Sequence, residues 1–477
     1  MKTVTRLIFT LSLAAAGFLT RPCAATPGQW DYTGSLNTGR YLHTATALAD
    51  GKVLVAGGRL PTASLTSAEL YDPATGIWTP TGSLTTGRFL HAETLLPDGR
   101  VMVTGGYLYS VGTLASCEIY NPATGLWSAT GSLHTARDFH TASVLPDGGV
   151  LVVGGLDTEG FDAASVEVWN PATGTWTTNG FSYEINHTAT VLADGRVLIV
   201  GGYDPELDLY RSGASIYDPA TGQFTSGGFM AAPRASHTAT LLQDGRVLVA
   251  GGVNDSGGLA TAEIYDPATG VWTPTGNLTI ARAGGQAALL PSGQVLVAGA
   301  GSSAEVYDPA SGTWMATASL NTARAEFTMT SLPSGMALAT AGYLSGTGAL
   351  ASAELYDPGS VNVPTKVSGR GSIDGQGGEA NFTVKATQSG DRASGSVTYS
   401  DPVAGISIAK AKVRTLTFTG VRADLSGVAR LGDGTKVSFN ISAQDNSSDG
   451  STDTFSISLS NGYSASGTLT SGDIKIQ

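Results

Sequence analysis

The sequence predicts an all-β protein: a closed ring of seven four-stranded sheets followed by a smaller β-sandwich-like module. Three observations predict it. A Val-Leu-Val-Ala-Gly-Gly segment at 53–58 recurs along the chain, with its first glycine slot at 57, 105, 154, 201, 251, 299 and 341. The spacings are 48, 49, 47, 50, 48 and 42 residues, and a unit of about 50 residues with four short strands is the signature of a seven-bladed β-propeller. The composition agrees: 64 Gly and 20 Pro in 477 residues, 41% hydrophobic and only 13% charged, which excludes a charge-rich disordered chain.

Each unit reads as four strands, a to d. Strand a is the His-Thr-Ala-Thr-Ala type segment beginning at His43. An Asp50-Gly51 type turn follows, supplying the positive φ that a tight hairpin needs. Strand b is the apolar run Val53 to Ala56, ending in Gly57-Gly58. Strand c carries Glu69-Leu70-Tyr71, and the Asp72-Pro73-Ala74-Thr75-Gly76 turn leads to strand d with Trp78. The Tyr-Asp-Pro marker recurs at 217–219, 265–267, 307–309 and 356–358, with Tyr120-Asn121-Pro122 and Trp169-Asn170-Pro171 in the other two slots. The d-strand aromatic recurs as Trp127, Trp176, Phe224, Trp272 and Trp314.

Paired Gly, then Tyr, then Trp at fixed offsets resembles the kelch family over about residues 27–360, and that resemblance implies a propeller. The seventh unit ends at Tyr356-Asp357-Pro358-Gly359 with no Trp strand after it. Residues Gly28-Gln29-Trp30 followed by Gly34-Ser35-Leu36 match Gly76-Ile77-Trp78 followed by Gly82-Ser83-Leu84. The N-terminal segment 26–36 is therefore expected to be strand d of the last blade, removing a free sheet edge.

The flanks are of other kinds. Residues 1–25 read as a signal peptide: Lys2 and Arg6, an apolar run from Leu7 to Thr20, and Cys23-Ala24-Ala25 before a cleavage site. The run is shorter than the ~20 residues of a membrane span, so the expected localisation is secreted or cell-surface, with no transmembrane segment after cleavage. The mature chain keeps one thiol, Cys117, so no intrachain disulfide is expected. Residues 361–366 read as a linker. Residues 367–477 alternate polar and apolar in short runs, expected as a β-sandwich or small barrel. The stretch 453–467 resembles the post-COAP class of exported bacterial domains. The acidic loop 444–453 could hold Ca²⁺ but lacks EF-hand spacing.

A formal net charge of −12 excludes binding nucleic acid through phosphates. Two repeated slots carry charge. Arg40, Arg88, Arg137, Arg234, Arg282 and Arg324 stand three residues before the strand-a histidine slot, and Glu69, Glu118, Glu167, Glu263, Glu305 and Glu354 two residues before the strand-c aromatic. Unit four breaks both, with Glu184 and Ser215. Because buried charges need partners, the shared exception predicts that Arg and Glu of one unit pair. The histidine slot holds His43, His91, His140, His187 and His237, with Gly285 and Phe327 in units six and seven. It opens strand a on the face bearing the d–a and b–c connections, where loop variety points to recognition. The candidate binding residues are these five histidines with Asp138, Glu184, Glu326 and Phe327, which stand on that face or depart from the repeat. No catalytic or metal-ligating residue is assigned.

Some secreted propellers of this family resemble galactose oxidase, which implies a copper radical enzyme with Cys, Tyr and His at its centre. Here Cys117 sits in the slot of Ala68, Ala262 and Ala353, and no His follows His237. The expected function is therefore a secreted, non-catalytic module binding an extracellular glycan, polymer or protein, without an obligate cofactor. The alternative is a copper oxidoreductase acting on carbohydrate alcohols.

Overall fold

The computed structural model describes residues 28–163, 165–181, 184–359, 366–374, 378–389, 392–419, 422–445 and 452–476. The leader over 1–25, residues 26–27, the linker 361–365 and residues 446–451 of the acidic loop lie outside the described residues.

Seven four-stranded antiparallel sheets follow one another, each with its strands in the order a-b-c-d. In blade one these are Thr44–Ala47, Val53–Ala56, Ala68–Asp72 and Ile77–Thr81. Strands a of successive blades neighbour one another in a closed circuit, so they line the axis. Strand b is buried along its whole length in every blade, which is why it reads as a continuous apolar run rather than an alternating one. Its alternate residues pack to opposite sides. Val53 and Val55 join Leu338 and Leu355 of blade seven, while Leu54 and Ala56 join Val101, Val103 and Tyr120 of blade two.

The ring is closed by the N-terminal segment. Gln29–Tyr32 pairs antiparallel with Ala353–Asp357, with Trp30 opposite Tyr356. Their rings lie 5.2 Å apart, the same contact that Tyr71 and Trp78 make at 5.0 Å inside blade one. Trp indoles also stitch neighbours together: Trp78 Nε1 donates to Gly34 O at 2.8 Å, and Trp127 Nε1 to Gly82 O at 2.9 Å. Glycine is required at Gly34 because a Cβ there would sit 2.0 Å from Gly76 O.

The C-terminal module differs from the expected sandwich. It is one nine-stranded sheet rather than two facing ones. Its terminal strands, Ser464–Thr468 and Ser471–Ile476, lie at opposite ends of the strand order yet are joined only by Leu469 and Thr470. So short a link forces the sheet to curl until its edges approach, placing it nearer the small barrel. Alternate residues fill its interior, among them Phe382, Tyr399, Phe439 and Phe455. Among the described residues there is no helix, and none long and apolar enough to cross a membrane.

Candidate functional site

The predicted Arg–Glu pairs exist in all six blades that carry both residues, with N···O separations of 2.5–3.0 Å. In blade one, Arg40 Nη2 donates to Glu69 Oε1, and Nη1 donates to Gly57 O and Ser67 O at 2.7 and 2.8 Å. Glu69 also accepts the backbone N–H groups of Asn37 and Thr38. The pair thus ties the d–a connection to strands b and c, and it is desolvated but fully hydrogen-bonded. Burial pulls the Arg40 guanidinium below its usual value, with Glu69 opposing.

The histidines form a second structural ring. His91 Nε2 hydrogen-bonds Thr44 Oγ1 of the preceding blade at 2.8 Å, and His43 reaches Thr328 of blade seven at 3.0 Å. His140, His187 and His237 repeat the contact with Thr104, Thr141 and Thr188. All five are buried. Burial first, then neighbouring guanidinium groups, holds His91 and His237 down to about 3, and burial holds His187 to about 4. Phe327 fills the same slot in blade seven as an apolar plug against Leu320 and Ala298. The structure therefore places these six candidates between blades rather than on the face.

The other three predicted residues lie on the d–a connections, just before strand a. Glu326 is exposed at φ 52°, in a ring of left-handed residues with Leu42, Leu90, Phe139, Asn186 and Ser236. Leu42 N donates to Glu326 O, Leu90 N to Leu42 O, and Phe139 N to Leu90 O. These blade-to-blade bonds hold a conformation that costs non-glycine residues roughly 1 kcal/mol or more each. Asp138 is 5% exposed, and burial pushes its carboxyl up to about 7. Glu184 is half-buried and lines a cavity in blade four.

Sequence reasoning missed other residues there. Asp162 is 8% exposed with neither carboxylate oxygen partnered, and burial, then Asp204, Glu206 and Glu184, push it up to about 7. No repeat position marks it. Glu93, on strand a of blade two, is pushed to about 7 by burial although Thr44 Oγ1 donates to it at 2.5 Å. Its signal was readable, because Ala45, Ala142 and Ala189 hold that slot in other blades. The largest omission is an aromatic shelf over blades seven, one and two. The Arg59 guanidinium lies 5.3, 4.8 and 4.9 Å from the ring centres of Tyr41, Phe89 and Tyr109, and Tyr343 packs on Tyr41 at 5.2 Å. Tyr109 is 50% exposed.

With this geometry in place, the comparisons bear on fold. The Kelch motif matches residues 40–85 and 234–279, units one and five. No curated protein matches the sequence. A solved fungal alcohol oxidase of the AA5 family, in complex with copper, is similar with a TM-score of 0.60 and 16% identity, covering 93% of this chain and 100% of that one. The chain is thus a seven-bladed propeller bearing kelch motifs, with the fold of galactose oxidase-like proteins. Its donor set does not fit a copper centre. Cys117 is buried on strand c of blade two, its thiol pushed up to about 11 by burial. Every strand-a histidine has Nε2 engaged by threonine. Among the described residues, no group of three or more His, Cys, Asp or Glu could hold a metal ion.

Proposed function

We propose that this protein is an exported, non-catalytic recognition module that binds an extracellular glycan, polymer or protein through the face bearing its b–c loops. The observation carrying this reading is the shelf of Tyr41, Arg59, Phe89, Tyr109 and Tyr343. Tyr109 offers exposed aromatic surface beside the half-buried Arg59 and Tyr343, while the buried Tyr41 and Phe89 pack against the guanidinium and hold it in place. Flat aromatic surface suits the apolar face of a sugar ring, and a stacked guanidinium adds hydrogen-bond donors beside it. The opposite face offers near-identical turns, such as Pro97-Asp98-Gly99 and Pro146-Asp147-Gly148.

The competing reading is an oxidoreductase acting on carbohydrate alcohols, supported by the fold shared with the AA5 oxidase. Glycan and protein arrays probed with the mature chain test the proposal. Arg59→Ala and Tyr109→Ala should each weaken the captured ligand about tenfold. Hits indifferent to both substitutions would remove the shelf from the reading. Stoichiometric copper with peroxide release from sugar alcohols would replace it with the oxidase.

A further inference from the structure

Blade four alone combines a missing arginine, a missing glutamate and a cavity. The cavity measures about 730 Å³, within the roughly 300–1,000 Å³ of small-ligand sites. Its lining includes Glu184, Ile199, Gly201, Gly213 and Ser215. These are the counterparts of Arg40, Val55, Gly57, Ser67 and Glu69 in blade one, so the cavity is the emptied seat of the ion pair. Ser215 is exposed where the glutamates are buried.

The six filled seats show what that seat binds. In each, one guanidinium nitrogen donates to two backbone carbonyls: Gly57 and Ser67, Gly105 and Ser116, Gly154 and Ser165, Gly251 and Thr261, Gly299 and Ser303, Ala341 and Ser352. The blade-four equivalents are Gly201 O and Gly213 O. Among the described residues, no side chain donates to either. Gly213 O accepts only Gly201 N at 3.0 Å among the turn and loop bonds, the contact that Gly57 N and Ser67 O also make at 3.2 Å beneath Arg40.

The surroundings favour a cation from outside. Glu184 puts a carboxylate where the other blades hold arginine. The b–c loop of this blade carries Asp204, Glu206 and Asp208 against Arg211, which is itself paired with Asp204. Asp162, with both oxygens unpartnered, lies in the same field. Around the opening stand Leu209 and Phe229, the latter 74% exposed, with Tyr210 and Pro233. Arg211 also lines the cavity, its charge taken by Asp204, and apolar residues around a carbonyl-lined hole that holds one carboxylate, Glu184, suit a planar cation on an aliphatic stem.

We infer that the blade-four cavity binds the arginine side chain of a protein partner, its guanidinium taking in trans the seat that Arg40 and its equivalents take in cis. This goes beyond the aromatic shelf and does not depend on what the shelf binds.

The test titrates the full mature chain with N-acetyl-L-arginine amide and its citrulline analogue by calorimetry. Saturable binding of the arginine probe is expected, and at least tenfold weaker binding of citrulline, which keeps the shape but loses the charge. Glu184→Arg with Ser215→Glu rebuilds the ion pair of the other blades. That double variant should fold and lose the probe. Glu184→Gln, which does not refill the seat, should weaken binding severalfold and guards against misfolding of the double variant. Arg59→Ala should leave probe binding unchanged, so failure of the shelf and failure of this site read out separately. Absence of saturable arginine binding, equal binding of citrulline, or full binding by the refilled variant would each overturn the inference.

Discussion

Blades one and four are built on the same four strands, yet one is filled and the other open. In blade one, Arg40 and Glu69 meet at 2.8 Å with at most 3% of either side chain exposed. In blade four, the same two slots hold Glu184 and Ser215 beside a cavity of about 730 Å³. The difference teaches how to weigh a repeat. A polar residue present in most blades holds the blades together, as the arginines, glutamates and histidines all do. A position where the repeat fails twice at once is released from that duty and is free to meet a ligand.

The most severe way to break the comparison is to open the ring that both blades depend on. Deleting residues 28–36 removes Gln29–Tyr32 and leaves strand Ala353–Asp357 as a bare edge. Trp30 alone is 3% exposed, and losing such a side chain costs about 3–5 kcal/mol. The truncated protein should lose cooperative thermal unfolding by circular dichroism. An unchanged transition would mean that the segment is not the lock.

Next in size is the contrast between the blades themselves. Arg88→Ala strands Glu118 as a buried, unpaired charge and should destabilise by about 3–5 kcal/mol. Glu184→Ala breaks none of the six Arg–Glu pairs and should cost less than about 1 kcal/mol. Urea denaturation of the two variants measures both. Equal losses would erase the distinction between filled and open blades.

Much of this was legible in the chain. The pairing of Arg with Glu followed from their shared absence in unit four, because neither charge can be buried alone. Ring closure followed from the phase of Trp30 against Trp78. The histidines were harder to read. Their slot opens strand a on the loop face, but sequence phase says nothing of the neighbouring blade, whose threonines take up Nε2. The shelf escaped for the converse reason: Arg59, Phe89 and Tyr109 come from different loops of two blades, and no period links them. In the C-terminal module, alternation specifies which residues face inward but not whether one sheet or two encloses them. The two-residue link at Leu469 and Thr470 decides that, and it was visible only once the pairing was known.

A smaller effect sharpens the structural reading of the histidines. His91 is held near 3 in the fold, against about 6.5 in an unfolded chain. The unfolded state therefore binds more protons below pH 6.5. The stability from keeping this ring neutral is complete above that pH and is lost as pH falls from 6.5 toward 3. Asp138, Asp162 and Glu93, each raised to about 7, act with the opposite sign, losing stability as pH rises from about 4 through 7. His91→Gln, whose amide nitrogen can still meet Thr44, removes only the titrating group. Its deficit at pH 7.5 should shrink by about 2 kcal/mol at pH 5. A deficit independent of pH would mean that the fold leaves His91 unshifted, as a solvated imidazole would be.

The smallest effect is expected at Cys117, and its smallness is the point. The side chain is 1% exposed on strand c, its thiol is pushed up to about 11, and its Sγ donates only weakly to Ala115 O at 3.6 Å. Ala68, Ala262 and Ala353 occupy the same slot in other blades and are equally buried. The site is thus built for a side chain one heavy atom smaller, and Cys117→Ala should cost about 1 kcal/mol or less with no loss of ligand binding. Reactivity toward iodoacetamide in the native protein should be negligible, since a thiol so raised holds almost no thiolate at neutral pH. Rapid alkylation, or loss of an oxidase activity on substitution, would instead assign this cysteine a chemical role. That result would set blade two apart from its fellows on grounds of reactivity, just as its open seat already distinguishes blade four on grounds of recognition.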